Sequence, residues 1–186
     1  MIRKTALAAV AALAMAAPAA AQENGAQDQA ADIPVTIPDE LKPLAFLAGA
    51  CWEGPMPDGK QVASHCMRWV MRGRYLRDRF ELKGANPPYG GETTYYWDHD
   101  LKQVRYIYWA NDGGYTTGSV KADGTALVFD DERYIGKDGE MFVRGEIRPV
   151  DANTIVWRSE LKGKDGKWVP MLNSTMVRKP INWGPY

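Results

Sequence analysis

The chain has 186 residues, with 23 Lys and Arg balanced against 23 Asp and Glu. It has no basic stripe or charged tail, which excludes the electrostatic footprint that recruits nucleic acid or anionic lipid. Seven Trp and nine Tyr are a heavy aromatic load, in a chain long enough for one domain with a sizeable core.

Residues 1–21 read as a secretory signal peptide. Arg3 and Lys4 form a positive start, Ala6 to Met15 an apolar run, and Ala19-Ala20-Ala21 an A-x-A cleavage site. The apolar run is shorter than the roughly 20 residues that cross a bilayer. The expectation is therefore a cleaved signal with no membrane insertion. The Ala-rich signal looks bacterial, so the expected location is periplasmic or secreted, where an oxidising environment lets two cysteines pair. Loss of Arg3 and Lys4 takes the basic count from 23 to 21 against 23 acids, about −2 for the mature chain.

Residues 22–37 are polar, Ala/Gln-rich and aperiodic, and are expected to form a disordered leader. "IPDELKPLAFLAG" follows. Asp39 is placed to cap a short helix there and Gly49 to end it, with Leu41, Leu44, Phe46 and Leu47 on its apolar side. This helix is expected to plug one end of a barrel. From Cys51 onward, short alternating runs are broken by turn signals: Asp58-Gly59, Arg72-Gly73, "GANPPYGG", "DHD", "NDGG", Asp123-Gly124, Asp138-Gly139, "DANT" and Asp165-Gly166. Breaks at this spacing predict an all-β fold, a single antiparallel meander β-barrel of about ten strands over residues 38–179. Residues 180–186 form a C-terminal tail.

Centring each hairpin on its turn assigns the faces, because opposite partners share a side of the sheet. The Asp58-Gly59 turn sets Cys51 opposite Cys66 and Trp52 opposite His65. The Arg72-Gly73 turn sets Trp69 opposite Leu76, Met67 opposite Asp78 and His65 opposite Phe80. The apolar set (Trp52, His65, Met67, Trp69, Leu76, Asp78, Phe80, Leu82) is the interior, and the cysteines face outward. Turns at His99-Asp100, Asp123-Gly124 and Asp165-Gly166 add Tyr95, Trp97, Val104, Tyr106, Tyr108, Val120, Leu127, Phe129, Ile155, Trp157, Leu161, Leu172 and Met176 to the interior. Parity fails between Phe129 and Ile147, which requires a β-bulge whose position the pattern does not fix. Cys51 and Cys66 are expected to form a structural disulfide, since either antiparallel spacing suits the bond.

At "LAFLAGACWEG" and "YYWDHDLKQVRYIYW" the chain resembles lipocalin-like β-barrel families of uncharacterised bacterial secreted proteins, and more distantly lipocalins and nitrobindins. Leu47-Ala48-Gly49, Trp52 and Gly54 match the opening segment, Trp97-Asp98 the middle hairpin and Arg178 the last strand. Two residues separate Gly49 from Trp52, where lipocalins usually have one. The resemblance implies a calycin-like barrel whose base is closed by Trp52 stacked beneath Arg178. It also implies no haem of the nitrobindin kind, because no histidine follows His99.

His65 and Asp78 are the most pointed candidate pair. A buried carboxylate beside an imidazole orients the ring, as a polar ligand anchor or a general base requires; the plainer alternative is that the two satisfy each other inside a packed core. Trp69, Phe80, Tyr95, Trp97, Tyr106 and Tyr108 could line a pocket for a flat or apolar molecule, or simply fill the core. Two histidines without recognisable ligand spacing indicate no metal, and no cofactor motif is present. The expected function is binding of a small apolar or aromatic molecule inside the barrel. The alternatives are an enzyme of the same fold using His65 and Asp78, and a structural envelope protein with a solid core.

Overall fold

The computed structural model describes residues 35–181. The proposed signal peptide, most of the leader (22–34) and the end of the tail (182–186) lie outside the described residues. A 3-10 helix, Asp39–Leu47, comes first. Pro43 sits inside it and cannot donate to an i−4 carbonyl, which disfavours a regular α-helix. With three residues per turn, Leu41, Leu44 and Leu47 fall on one line, and these three leucines are buried. Asp39 does not cap the helix as expected. Pro38 occupies the N-cap without a side-chain bond, and Asp39 pairs at the surface with Lys42 at 2.6 Å.

Ten strands follow: β1 (Ala50–Pro55), β2 (Val62–Val70), β3 (Tyr75–Lys83), β4 (Tyr89–Asp98), β5 (Gln103–Ala110), β6 (Tyr115–Asp123), β7 (Ala126–Gly136), β8 (Gly139–Asp151), β9 (Thr154–Lys162) and β10 (Trp168–Lys179). Each pairs antiparallel with its neighbour in sequence, and β1 pairs with β10, so the sheet closes into a barrel. Closure leaves no free sheet edge.

The registers pair Cys51 with Cys66, Trp52 with His65, His65 with Phe80, Met67 with Asp78 and Trp69 with Leu76. Two turn centres lie one residue later than expected. β4 and β5 pair Trp97 with Val104, because the Asp98 carboxylate accepts from the amides of Asp100 and Leu101 and builds a wider loop. β6 and β7 pair Val120 with Phe129 and Ala122 with Leu127. Moving a turn centre by one residue changes the pairing sum by two, so both faces are retained.

The bulge lies in β7. Phe129 pairs with Gly145 and Glu132 with Val143, so Asp130 and Asp131 together span the place of Arg144 alone. This two-against-one step switches the inward parity from odd to even along β7, turning Glu132 and Tyr134 to the side of Phe129. A second bulge in β10 falls between Pro170 and Leu172.

The opening motif has a packing basis. The Trp52 indole, 1% exposed, donates to the Leu47 carbonyl at 2.9 Å and ties helix to strand. Arg178 pairs with Trp52 across the β1–β10 seam, its guanidinium 5.7 Å from the indole centroid. Gly54 lets β10 approach, since a Cβ there would meet Ser174 Oγ at 2.4 Å and the Thr175 carbonyl at 2.8 Å. A disulfide joins Cys51 to Cys66.

Candidate functional site

The barrel interior is filled along part of its length and hollow along the rest. Leu41, Leu44, Leu47, Ala50, Trp52, Met67, Leu76, Val120, Leu127, Ile147, Ile155 and Met176 are buried in one core cluster, which also includes Tyr95, Tyr106 and Phe129. The last three pack against one another, with ring centroids 5.6, 5.7 and 6.4 Å apart. All three line a cavity of about 350 Å³, near the lower end of the roughly 300–1,000 Å³ typical of small-ligand sites. The cavity reaches the surface beside Met141 and Met171, which both line it and are 44% and 42% exposed.

Six of the eight residues expected to form the ligand site line this cavity: His65, Asp78, Phe80, Tyr95, Tyr106 and Tyr108. Trp69 and Trp97 do not. Trp69 packs against the core cluster, and Trp97 borders a separate hollow with Leu44, Val104 and Leu127 near the helix. Both sit at strand ends beside turns opposite the cavity, Trp69 before the β2–β3 turn and Trp97 before the β4–β5 turn. Face parity decides inward from outward but not height along the barrel axis.

His65 is held on three sides. Its Nδ1 lies 2.8 Å from Asp78 Oδ2, its ring stacks on Phe80 at 4.6 Å, and Trp157 reaches it from across the barrel at 4.2 Å. A carboxylate can only accept, so Nδ1 carries the hydrogen when the imidazole is neutral and Nε2 presents its lone pair. Asp78 is 1% exposed, and its second oxygen, Oδ1, has no hydrogen-bond partner. Ser159 Oγ and the Tyr106 hydroxyl, also on the cavity wall, are likewise buried without partners. Unmet polar groups of this kind cost about 1–3 kcal/mol each when nothing binds them.

Sequence reasoning missed Glu132, Tyr134, Thr93 and Thr116 as lining residues. Thr93 and Thr116 are the cross-strand partners of the inward-facing Tyr108; Thr93 shares the alternation of Tyr95, which could have found it, and Thr116 needed a register for the β5–β6 hairpin. Glu132 depends on the bulge. Burial pushes its carboxyl up to about 7, and the Tyr106 hydroxyl beside it only partly offsets this. That phenol is raised first by its own burial and then by the Glu132 charge. Tyr95 is raised by burial and, further, by the charges of Asp78 and Glu132, so both acids act on the same part of the cavity. Nearer the surface the Tyr134 hydroxyl donates to Asp112 Oδ1 at 2.8 Å. The Asp112 carboxyl is held low by the Gly114 amide and then by that phenol.

Among the described residues no group of three or more His, Cys, Asp and Glu could hold a metal ion, and no helix is long and apolar enough to cross a membrane. Fold and site together define a closed ten-stranded antiparallel barrel with an aromatic-walled cavity and a small set of buried polar groups. No family model matches the chain, and no curated protein matches it.

Proposed function

We propose that this barrel binds a small, largely apolar or aromatic molecule in its interior, with His65 and Asp78 as polar contacts. The observation that carries the reading is the aromatic-walled cavity of about 350 Å³ containing three buried, unpartnered polar atoms: Asp78 Oδ1, Tyr106 Oη and Ser159 Oγ. A solid structural core would have no reason to leave these groups unmet around a hollow. A catalytic role for His65 has less support. No serine, threonine or acid hydrogen-bonds to its Nε2 among the described residues, so no second group is in place against the oriented imidazole.

The lipocalin-like reading belongs to the same proposal. The Trp52–Arg178 seam, the Leu47 carbonyl bond and the line of buried leucines in the 3-10 helix support a barrel base closed by that helix. The disulfide is compatible with secretion to an oxidising compartment. Native mass spectrometry of protein purified from its own host tests the binding reading. The expected spectrum shows a small-molecule adduct that dissociates on denaturation. Protein of bare polypeptide mass that also takes up no apolar compound from a host lipid and metabolite extract would overturn it.

A further inference from the structure

The polar groups around the cavity are unequal in kind. Asp78 spends Oδ2 on His65 and leaves Oδ1 unpartnered at 1% exposure. Glu132 faces the same space, and among the described residues the Tyr106 hydroxyl, not a cation, partly offsets its burial. With its Nδ1–H given to Asp78, His65 offers Nε2 as a further acceptor. Hydroxyl groups on the wall include those of Tyr106 and Ser159, both buried without a hydrogen-bond partner, and those of Tyr89, Thr93 and Tyr95. Arg144 is the guanidinium among the described lining residues. It is committed elsewhere, with Nε 2.6 Å from Glu160 and the group over the Trp168 ring at 4.6 Å. The walls carry the rings of Phe80, Tyr95, Tyr106, Phe129 and Trp157, aromatic groups whose faces attract positive charge through their quadrupoles.

A cavity with two acids and aromatic walls is complementary to a cation with an apolar body. Asp78 keeps His65 on Oδ2 and has Oδ1 unmet, so a bound cation would satisfy that oxygen and offset the desolvation of Glu132 at once. We infer that the ligand class is an apolar or aromatic amine in its ammonium form, seated with its nitrogen between Asp78 and Glu132 and its body against the aromatic walls. The inference rests on the reading of the cavity as a binding site and specifies what that site takes.

Calorimetric titration with three probes of one shape tests it: 1-naphthylmethylamine, 1-naphthylmethanol and 1-naphthoic acid, at pH 7.5. The amine is expected to bind at least about tenfold tighter than the alcohol, with the acid weakest. Asp78→Asn and Glu132→Gln should each reduce the ratio of amine to alcohol affinity several-fold. The comparison among probes on the unaltered protein decides the inference even if a variant fails to fold. Alcohol or acid binding as tightly as the amine would overturn the ammonium assignment and leave the cavity as a binding site. Failure of all three to bind would overturn both.

Discussion

Glu132 gives the sharpest test of the β7 bulge, because only the bulge brings this acid into the barrel. Its carboxyl is raised from 4.5 to about 7, chiefly by burial. The folded protein therefore keeps a proton that the unfolded chain releases between those two values. Glu132's contribution to stability is fully present below about pH 4.5 and is lost as the pH rises through about 7. At about 1.4 kcal/mol per pH unit, the gap from 4.5 to about 7 amounts to about 3 kcal/mol at most. Glu132→Gln keeps the shape of the protonated acid and cannot ionise. Urea unfolding of both proteins at pH 4.5 and pH 8 isolates the effect, since every other titrating group cancels in the comparison. The variant should gain up to about 3 kcal/mol relative to the parent on going from the lower to the higher pH. A difference between the two proteins that is the same at both pH values would refute the buried acid, and with it the placement of the bulge at Asp130-Asp131.

Three further outcomes follow from packing. Gly118→Ala puts a Cβ 2.3 Å from the Tyr106 hydroxyl; the ring must move into the cavity, lowering stability by about 1–3 kcal/mol in denaturant unfolding and weakening probe binding. Reducing the Cys51–Cys66 bond, which closes a span of 15 residues, should cost about 3 kcal/mol by thermal unfolding with and without reductant. Two free thiols in protein recovered from an oxidising compartment would count against a structural role for the bond. Arg178→Ala should cost about 1 kcal/mol through loss of the indole contact, and Trp52→Ala about 3–5 kcal/mol. A double-mutant cycle showing no coupling between them would deny the seam its cation–π component.

The closed sheet and its inside and outside were legible because the side-chain period of two survives small errors. Displacing the β4–β5 and β6–β7 turns by one residue left Tyr95, Tyr106, Val120 and Phe129 inward. The His65–Asp78 pair was legible for the same reason: both of its hairpin registers follow directly from Asp58-Gly59 and Arg72-Gly73. Position along the barrel axis was not legible. Trp69 and Trp97 carry the same alternation as His65 and Tyr95, yet pack on the helix side of the barrel, away from the cavity. Glu132 was hidden because a bulge has no periodic signature of its own. The parity conflict between Phe129 and Val143 announced one without fixing its position, which the register of β7 against β8 places at Asp130-Asp131.

The central claim is that the hollow half of the barrel is a binding site. Fluorescence titration with N-phenyl-1-naphthylamine, a neutral aromatic probe, tests it most directly on the parent protein and on a Val143→Phe, Leu172→Trp variant that fills the cavity from two of its walls. The parent should show a saturable, blue-shifted signal at about one probe per chain. The filled variant, with an unchanged far-ultraviolet spectrum, should bind at least about tenfold more weakly. Equal saturation of both proteins, or no saturable signal from the parent, would contradict the account.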